Sequence, residues 1–375
     1  MQNKITLNQV KKFLLKKGLI VTEKNKRIFF RNDFKSIYFT ALSSLFLILF
    51  FYSLPIFFEF KKNSIISSIE VTNNSKSNFE KVLDGEALEK SEKVDEGLDL
   101  KNLFEDVFKL DDLPSDTVRL SASTIEQLFK DTNYTLEDVR STKLVKPIAL
   151  SLLPEEIKKI ESTKKRKNLF IQIILPLVIE ENNKIKLDRR KLFNILNKNH
   201  NTDLEKKWLN SKFKQYGVLN KDLSTLKVRM DIVPVSLAIA QAAKETGWGT
   251  SRFALEGNAL FGQWTWSGEG IKPAGADDDA THKVMKFKIL KSSVRAYQRN
   301  LNTHSSYKQF RMARAELRDN KVKLDSLLLV NYLDKYAETG KEYTKILKKI
   351  IQQNSLTDFD DVKLLPSSIQ LKSLI

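Results

Sequence analysis

The sequence predicts a mainly α-helical protein tethered behind a single membrane-spanning helix. Three observations carry this: a 23-residue stretch without charge near the N-terminus, apolar residues recurring at helical spacing from about Leu144, and glycine and tryptophan crowded into one short segment. With 375 residues and 41% hydrophobic content the chain can bury a sizeable core, which excludes a wholly disordered protein.

Residues 1–35 form a basic segment with ten lysines and arginines against two acids. The uncharged stretch Ser36–Phe58 follows, with the run Leu45–Phe51 at its centre. As a helix it is about 34 Å long, enough to cross a hydrocarbon core of about 30 Å. Pro55 sits near its outer end, where a lost backbone hydrogen bond is most easily tolerated. The charged lead-in is too long for a cleavable signal peptide and no small-x-small site follows, so an uncleaved anchor is predicted. The basic excess before the span places the N-terminus inside and everything after residue 58 outside.

Residues 59–140 are expected to be an acidic and polar tether: from Lys61 to about Asp116 large apolar residues are few, and 80–116 holds thirteen acids against five lysines. A helical extension is expected over 141–229. Pro154-Glu155-Glu156 starts one helix, and Leu169, Ile173, Leu177, Ile185, Leu192 and Leu196 recur at helical spacing. The run Leu169–Ile179, broken by Pro176, is too short for a second span and reads as a buried helix. A globular domain over 230–355 and a C-terminal tail over 356–375 complete the division.

The chain has 64 basic and 46 acidic side chains, a net charge of +18, of which +17 falls on 117–375. Such a part seeks an acidic partner: nucleic acid, anionic lipid or a cell-wall polymer. The outward topology and the scatter of the basic residues argue against nucleic acid. Cysteine is absent, which removes thiol nucleophiles, disulfides and thiolate metal sites. With only His200, His282 and His304 available, no metal and no cofactor is expected.

Seven of the twelve glycines and three of the four tryptophans fall within 247–275. The stretch before it, Pro234 to Gly247, reads as a nearly all-apolar helix with proline in its first turn and glycine just past its end. A helix of that kind belongs at the centre of a domain. Glu245 occupies its last turn. The negative end of the helix dipole and burial beside Trp248 would both keep its proton on, and a protonated carboxyl in a groove is what cleavage of a glycosidic bond needs. A solvent-facing glutamate near a helix end is the competing reading.

Glu245-Thr-Gly-Trp-Gly followed by Asn258-Ala-Leu-Phe-Gly262 resembles the glucosaminidase domain of glycoside hydrolase family 73, most closely its Bax-like branch. Further matches are Lys286-Phe287, Ser293 to Tyr297, Asn300 to His304, Tyr307 and Tyr336 to Tyr343. The resemblance is strong over 230–355, looser over 145–229 and absent over 1–140. It implies a lysozyme-like helical domain with a groove and a small β-hairpin at its edge, which hydrolyses the β-1,4 bond following N-acetylglucosamine in peptidoglycan strands. In a bacterium the domain would then be periplasmic, anchored in the inner membrane by one span. The resemblance makes Glu245 the catalytic acid and puts Trp248, Asn258, Phe261, Trp264, Tyr297 and Asn300 at the groove. Independently, Gln263 to Trp266 alternates like a strand and Gly268-Glu-Gly270 is turn-like. Trp264 and Trp266 suit either sugar stacking or hairpin packing.

A second carboxylate is the open point. Glycosidases commonly pair two acids. The candidates are Glu269, Asp277, Asp278 and Asp279, and the substrate's own acetamido group could replace them. One glutamate alone would also fit a lytic transglycosylase, and a wall-binding module without catalysis is the third reading. Oligomeric state is not encoded in these patterns.

Overall fold

The computed structural model describes residues 100–111, 118–265, 270–272 and 283–366. The anchor segment Ser36–Phe58 lies outside the described residues, as do Trp266, Glu269, Asp277, Asp278, Asp279 and the side chain of Trp264. Among the described residues no helix is long and apolar enough to cross a membrane.

The described chain is mainly helical. Helices α1 (Leu100–Asp111), α2 (Ala122–Asp131) and α3 (Leu136–Thr142) lead to strand β1 (Leu144–Val145) and a 3₁₀ turn, Glu155–Lys159. Then come α4 (Thr163–Leu196), α5 (Asp203–Gln215), α6 (Leu223–Arg229), α7 (Val235–Thr246) and α8 (Arg252–Gly257). Strands β2 (Trp264–Thr265), β3 (Gly270–Ile271) and β4 (Lys283–Met285) precede α9 (Leu290–Thr303), the 3₁₀ turn Ser305–Tyr307 and α10 (Lys308–Asp319). The chain continues through α11 (Ser326–Leu329), 3₁₀ turns at Val330–Tyr332 and Asp334–Tyr336, α12 (Lys341–Gln353), a 3₁₀ turn at Leu356–Phe359 and β5 (Lys363–Leu364). Ser121, Thr135, Ser162, Thr202 and Asp222 begin α2 to α6, each side-chain oxygen accepting a first-turn N–H.

Helix α7 is the axis of the core. All but Lys244 and Glu245 of its twelve residues are buried, and it packs on α4, α12 and the Leu356–Phe359 turn. The same apolar cluster takes residues from Ala122 to Val362, so the boundary expected at 229/230 is not a gap in packing. Nor are residues 356–366 a tail: Leu356 and Phe359 are fully buried, and β5 pairs in parallel with β1.

Helix α4 does not stop at Pro176. Proline cannot donate to the carbonyl of Gln172 four residues earlier, which would leave that oxygen orphaned inside the core. The buried hydroxyl of Tyr134 donates to it at 3.0 Å, and the Gln172 side chain donates back to the Tyr134 carbonyl at 2.6 Å. A distant tyrosine thus replaces the missing backbone donor and the helix runs 34 residues. The Pro154 stretch forms only the short 3₁₀ turn, and the long helix starts where Ser162 can cap it.

The tether also ends earlier than composition suggests. Leu103, Phe104 and Val107 of α1 are buried against Phe287 and Ala296, and α2 and α3 contribute Ile125, Phe129, Leu136 and Val139 to the main core. Polar groups finish the α1 seat: Arg299 donates to the Leu103 carbonyl at 2.7 Å and to the Asp106 carboxylate at 3.0 Å, and Arg295 donates to the Asp106 carbonyl at 2.9 Å. Acidic composition hid this because three apolar residues on one face suffice for a helix that borrows its partners from α9.

The predicted hairpin is a three-stranded antiparallel sheet. Strands β2 and β3 do not pair with each other; β4 lies between them, with Trp264 opposite Val284 and Gly270 opposite Met285. Gly270 permits the close approach, since a Cβ there would stand 2.6 Å from that of Lys283 and 3.0 Å from the Val284 carbonyl.

Candidate active site

The turn that ends α7 explains its unusual composition. Gly247, Trp248 and Gly249 all have positive φ, at 57°, 63° and 83°. The Thr246 hydroxyl stitches the turn, donating to the Ala242 carbonyl at 2.6 Å and accepting from the Gly249 N–H at 2.9 Å. A Cβ on Gly249 would lie 2.9 Å from the Phe170 ring, so glycine is required for contact as well as conformation. Trp248 pays for its left-handed backbone by packing edge-on to Phe170, centroids 5.9 Å apart, with the Lys167 ammonium 4.8 Å from its ring centre.

This turn leaves Glu245 at the end of the buried helix, half-buried, between Lys244 and Thr246. Its Oε1 is enclosed and makes no hydrogen bond, and its Oε2 faces Gly262, where an added Cβ would stand 3.4 Å away. Burial raises the carboxyl pKa; hydrogen bonding from Tyr343 and the charge of Lys244 oppose that rise without cancelling it. The enclosing groups differ from those expected. Trp248 packs on Phe170 and Lys167, and the groups that act on Glu245 are Tyr343, brought from another element, and the neighbouring Lys244.

Tyr343 comes from α12, Tyr336 from the turn before it, Tyr307 from the turn after α9, and Tyr297 from α9 itself. Tyr336 stacks on Tyr343 at 5.5 Å and lies 5.8 Å from Tyr307. Burial pushes all four phenols up, Tyr307 to about 12, and the Glu245 charge adds to the rise in each. They therefore stay neutral, as donors and apolar walls. Among the described residues no second carboxylate is among the groups that shift Glu245.

The other sequence candidates divide. Phe261 and Tyr297 are fully buried and stacked, centroids 3.8 Å apart and rings 8° from parallel, so neither presents an open face. Asn258 is also buried: left-handed at φ 50°, it caps α8 and its amide donates to the carbonyls of Phe287 and Lys288, latching α8 to the strand-to-helix link. Asn300 is half-buried and hydrogen-bonds Tyr307. Trp264 has its backbone on β2. Gln241 and the roles of Tyr307, Tyr336 and Tyr343 were not assigned from sequence. A glutamine one turn before Glu245 in an otherwise apolar helix is the signal that could have found the first.

Fold and site together define a helical domain built around one enclosed carboxyl, its pKa raised by burial, with Tyr343 beside it. Residues 221–356 match the family model described as mannosyl-glycoprotein endo-beta-N-acetylglucosaminidase, the glucosaminidase domain. Over 210 residues the chain is 31% identical to "Protein bax" of Escherichia coli (strain K12), a span that takes in 54% of this chain and 75% of that protein. The chain belongs to the Bax-like glucosaminidase-domain proteins. No solved structure matches it.

Proposed function

We propose that this protein is a peptidoglycan hydrolase that cleaves the β-1,4 bond following N-acetylglucosamine, with Glu245 as general acid. The observation that carries the reading is the enclosed carboxyl at the end of α7, its Oε1 free of any hydrogen bond and its pKa raised by burial. A neutral carboxyl can hand its proton to the departing sugar oxygen as the bond breaks, which a solvated carboxylate cannot do near neutral pH. Tyr343 then stabilises the carboxylate that remains, so the same pocket serves both sides of the transfer. The family match to a glucosaminidase supports the sugar, and the basic charge of 117–375 suits a wall polymer carrying carboxylates.

The partner group follows from what surrounds Glu245. Phenols kept neutral by burial are poor nucleophiles, so either an acid from 269–279 reaches the site or the substrate's acetamido group attacks. Glu245→Gln preserves the shape but removes the proton. Release of reducing ends from purified peptidoglycan should fall by about 10² to 10⁴ while wall binding persists. Near-normal release would end the hydrolase reading. Anhydro ends in place of reducing ends would reassign the same carboxyl to a lytic transglycosylase.

A further inference from the structure

We infer that Gln241 is a positioning residue for this reaction: its buried amide fixes the direction of a hydroxyl chain that runs from Tyr297 to Tyr343 and ends on Glu245. The inference rests on Glu245 being the acid. Gln241 lies one turn before Glu245 on α7 and is fully buried. A buried amide is costly unless its oxygen and its nitrogen are both engaged. Here the Tyr297 hydroxyl donates to Oε1 at 2.6 Å, and Nε2 donates to the Tyr343 oxygen at 3.1 Å.

Those two bonds decide where protons point. A phenol carries one proton, and Tyr297 commits its own to Gln241. Tyr343 accepts a hydrogen bond from the amide, so its own O–H is left to turn toward another acceptor. The carboxyl beside it is Glu245. The chain therefore directs the Tyr343 O–H toward Glu245 as a donor. Such a donor favours the ionised carboxyl over the neutral one, and its hold strengthens as charge develops when the proton leaves.

The groups electrostatically coupled to Glu245 are Tyr343 from α12, Tyr297 from α9, Tyr307 and Tyr336 from their turns, and Lys244 from α7 itself. The Lys244 side chain is exposed and its pull is screened. Oriented hydrogen bonding from Tyr343 is thus the main local counterweight to burial, and Gln241 sets its orientation.

The test is the pH dependence of peptidoglycan cleavage by the full chain. Gln241→Met fills the same space without the amide. Loss of the oriented donor should carry the high-pH limb of kcat/KM upward by about one pH unit, lower kcat about tenfold at neutral pH and leave KM unchanged. Tyr343→Phe should shift the limb in the same direction, and the double variant should shift it no further, because Gln241 acts only through Tyr343. An unmoved limb in Gln241→Met, or full additivity in the double variant, overturns the inference. If Gln241→Met fails to fold, Tyr297→Phe tests the same chain: it frees the amide to turn over, and an unmoved limb there is equally decisive. An inactive Glu245→Gln beside an unmoved Gln241→Met profile would overturn this inference alone, whereas an active Glu245→Gln would overturn the reading beneath it.

Discussion

At the scale of single residues, Glu245 trades stability for chemistry. Its folded-state pKa is raised, so the folded protein holds a proton that the unfolded chain releases as pH climbs past the ordinary glutamate value of 4.5. Folding stability attributable to this group is therefore greatest at low pH and falls as pH rises above about 4.5. Glu245→Gln removes that dependence. Its melting temperature should exceed that of the wild type at pH 7 and converge on it near pH 4, as checked by thermal denaturation across pH. A variant that is less stable than wild type at pH 7 would show that the carboxylate is already well compensated. Gly249 works the other way, through shape alone. At φ 83° with the Phe170 ring 2.9 Å from any added Cβ, it can be nothing larger without moving Trp248 and the turn that holds Glu245.

At the scale of elements, two helices depend on partners far away in sequence. Helix α4 passes through Pro176 because Tyr134 supplies the donor that proline lacks. Tyr134→Phe leaves the Gln172 carbonyl buried and unpaired, which should cost about 1–3 kcal/mol in urea denaturation. No loss would mean that the helix tolerates the orphaned carbonyl. Helix α1 rests on Phe287 and Ala296, next to the strand β4 that centres the sheet. Phe104→Ala should destabilise the domain by about 3 kcal/mol. Unchanged stability would indicate that α1 is an ornament on the surface and not part of the fold. Both arrangements escaped the sequence for the same reason: helical spacing shows a face, and composition shows a bias, but neither shows which remote residue meets that face.

At the scale of the whole molecule, the proposed arrangement is a basic cytoplasmic lead, one span at Ser36–Phe58, and a wall-cutting domain outside. The described fold bears on it through α1, whose burial against Phe287 and Ala296 makes a segment expected in the tether part of the folded domain. Reporter fusions after residues 20 and 90 should give cytoplasmic and periplasmic signals respectively, because ten basic residues precede the span. A cytoplasmic signal at residue 90 would defeat the anchor. The boundary expected at residue 229 dissolves at this scale as well, since α4 packs directly on α7 and α9.

The sequence by itself determined the helical class, the buried axis from Pro234 to Gly247, the turn that ends it and the carboxyl placed there. Each of these is set by local rules: apolar spacing, proline and glycine at helix ends, and a dipole whose negative end lies beside Glu245. Only the tertiary structure decided what surrounds that carboxyl. Tyr297, Tyr307, Tyr336 and Tyr343 are up to 98 residues from Glu245 in the chain, and Phe261 and Tyr297 are buried against each other. The physical reason is that burial and hydrogen-bond direction are properties of packed neighbours, and packing joins residues that spacing along the chain leaves unrelated.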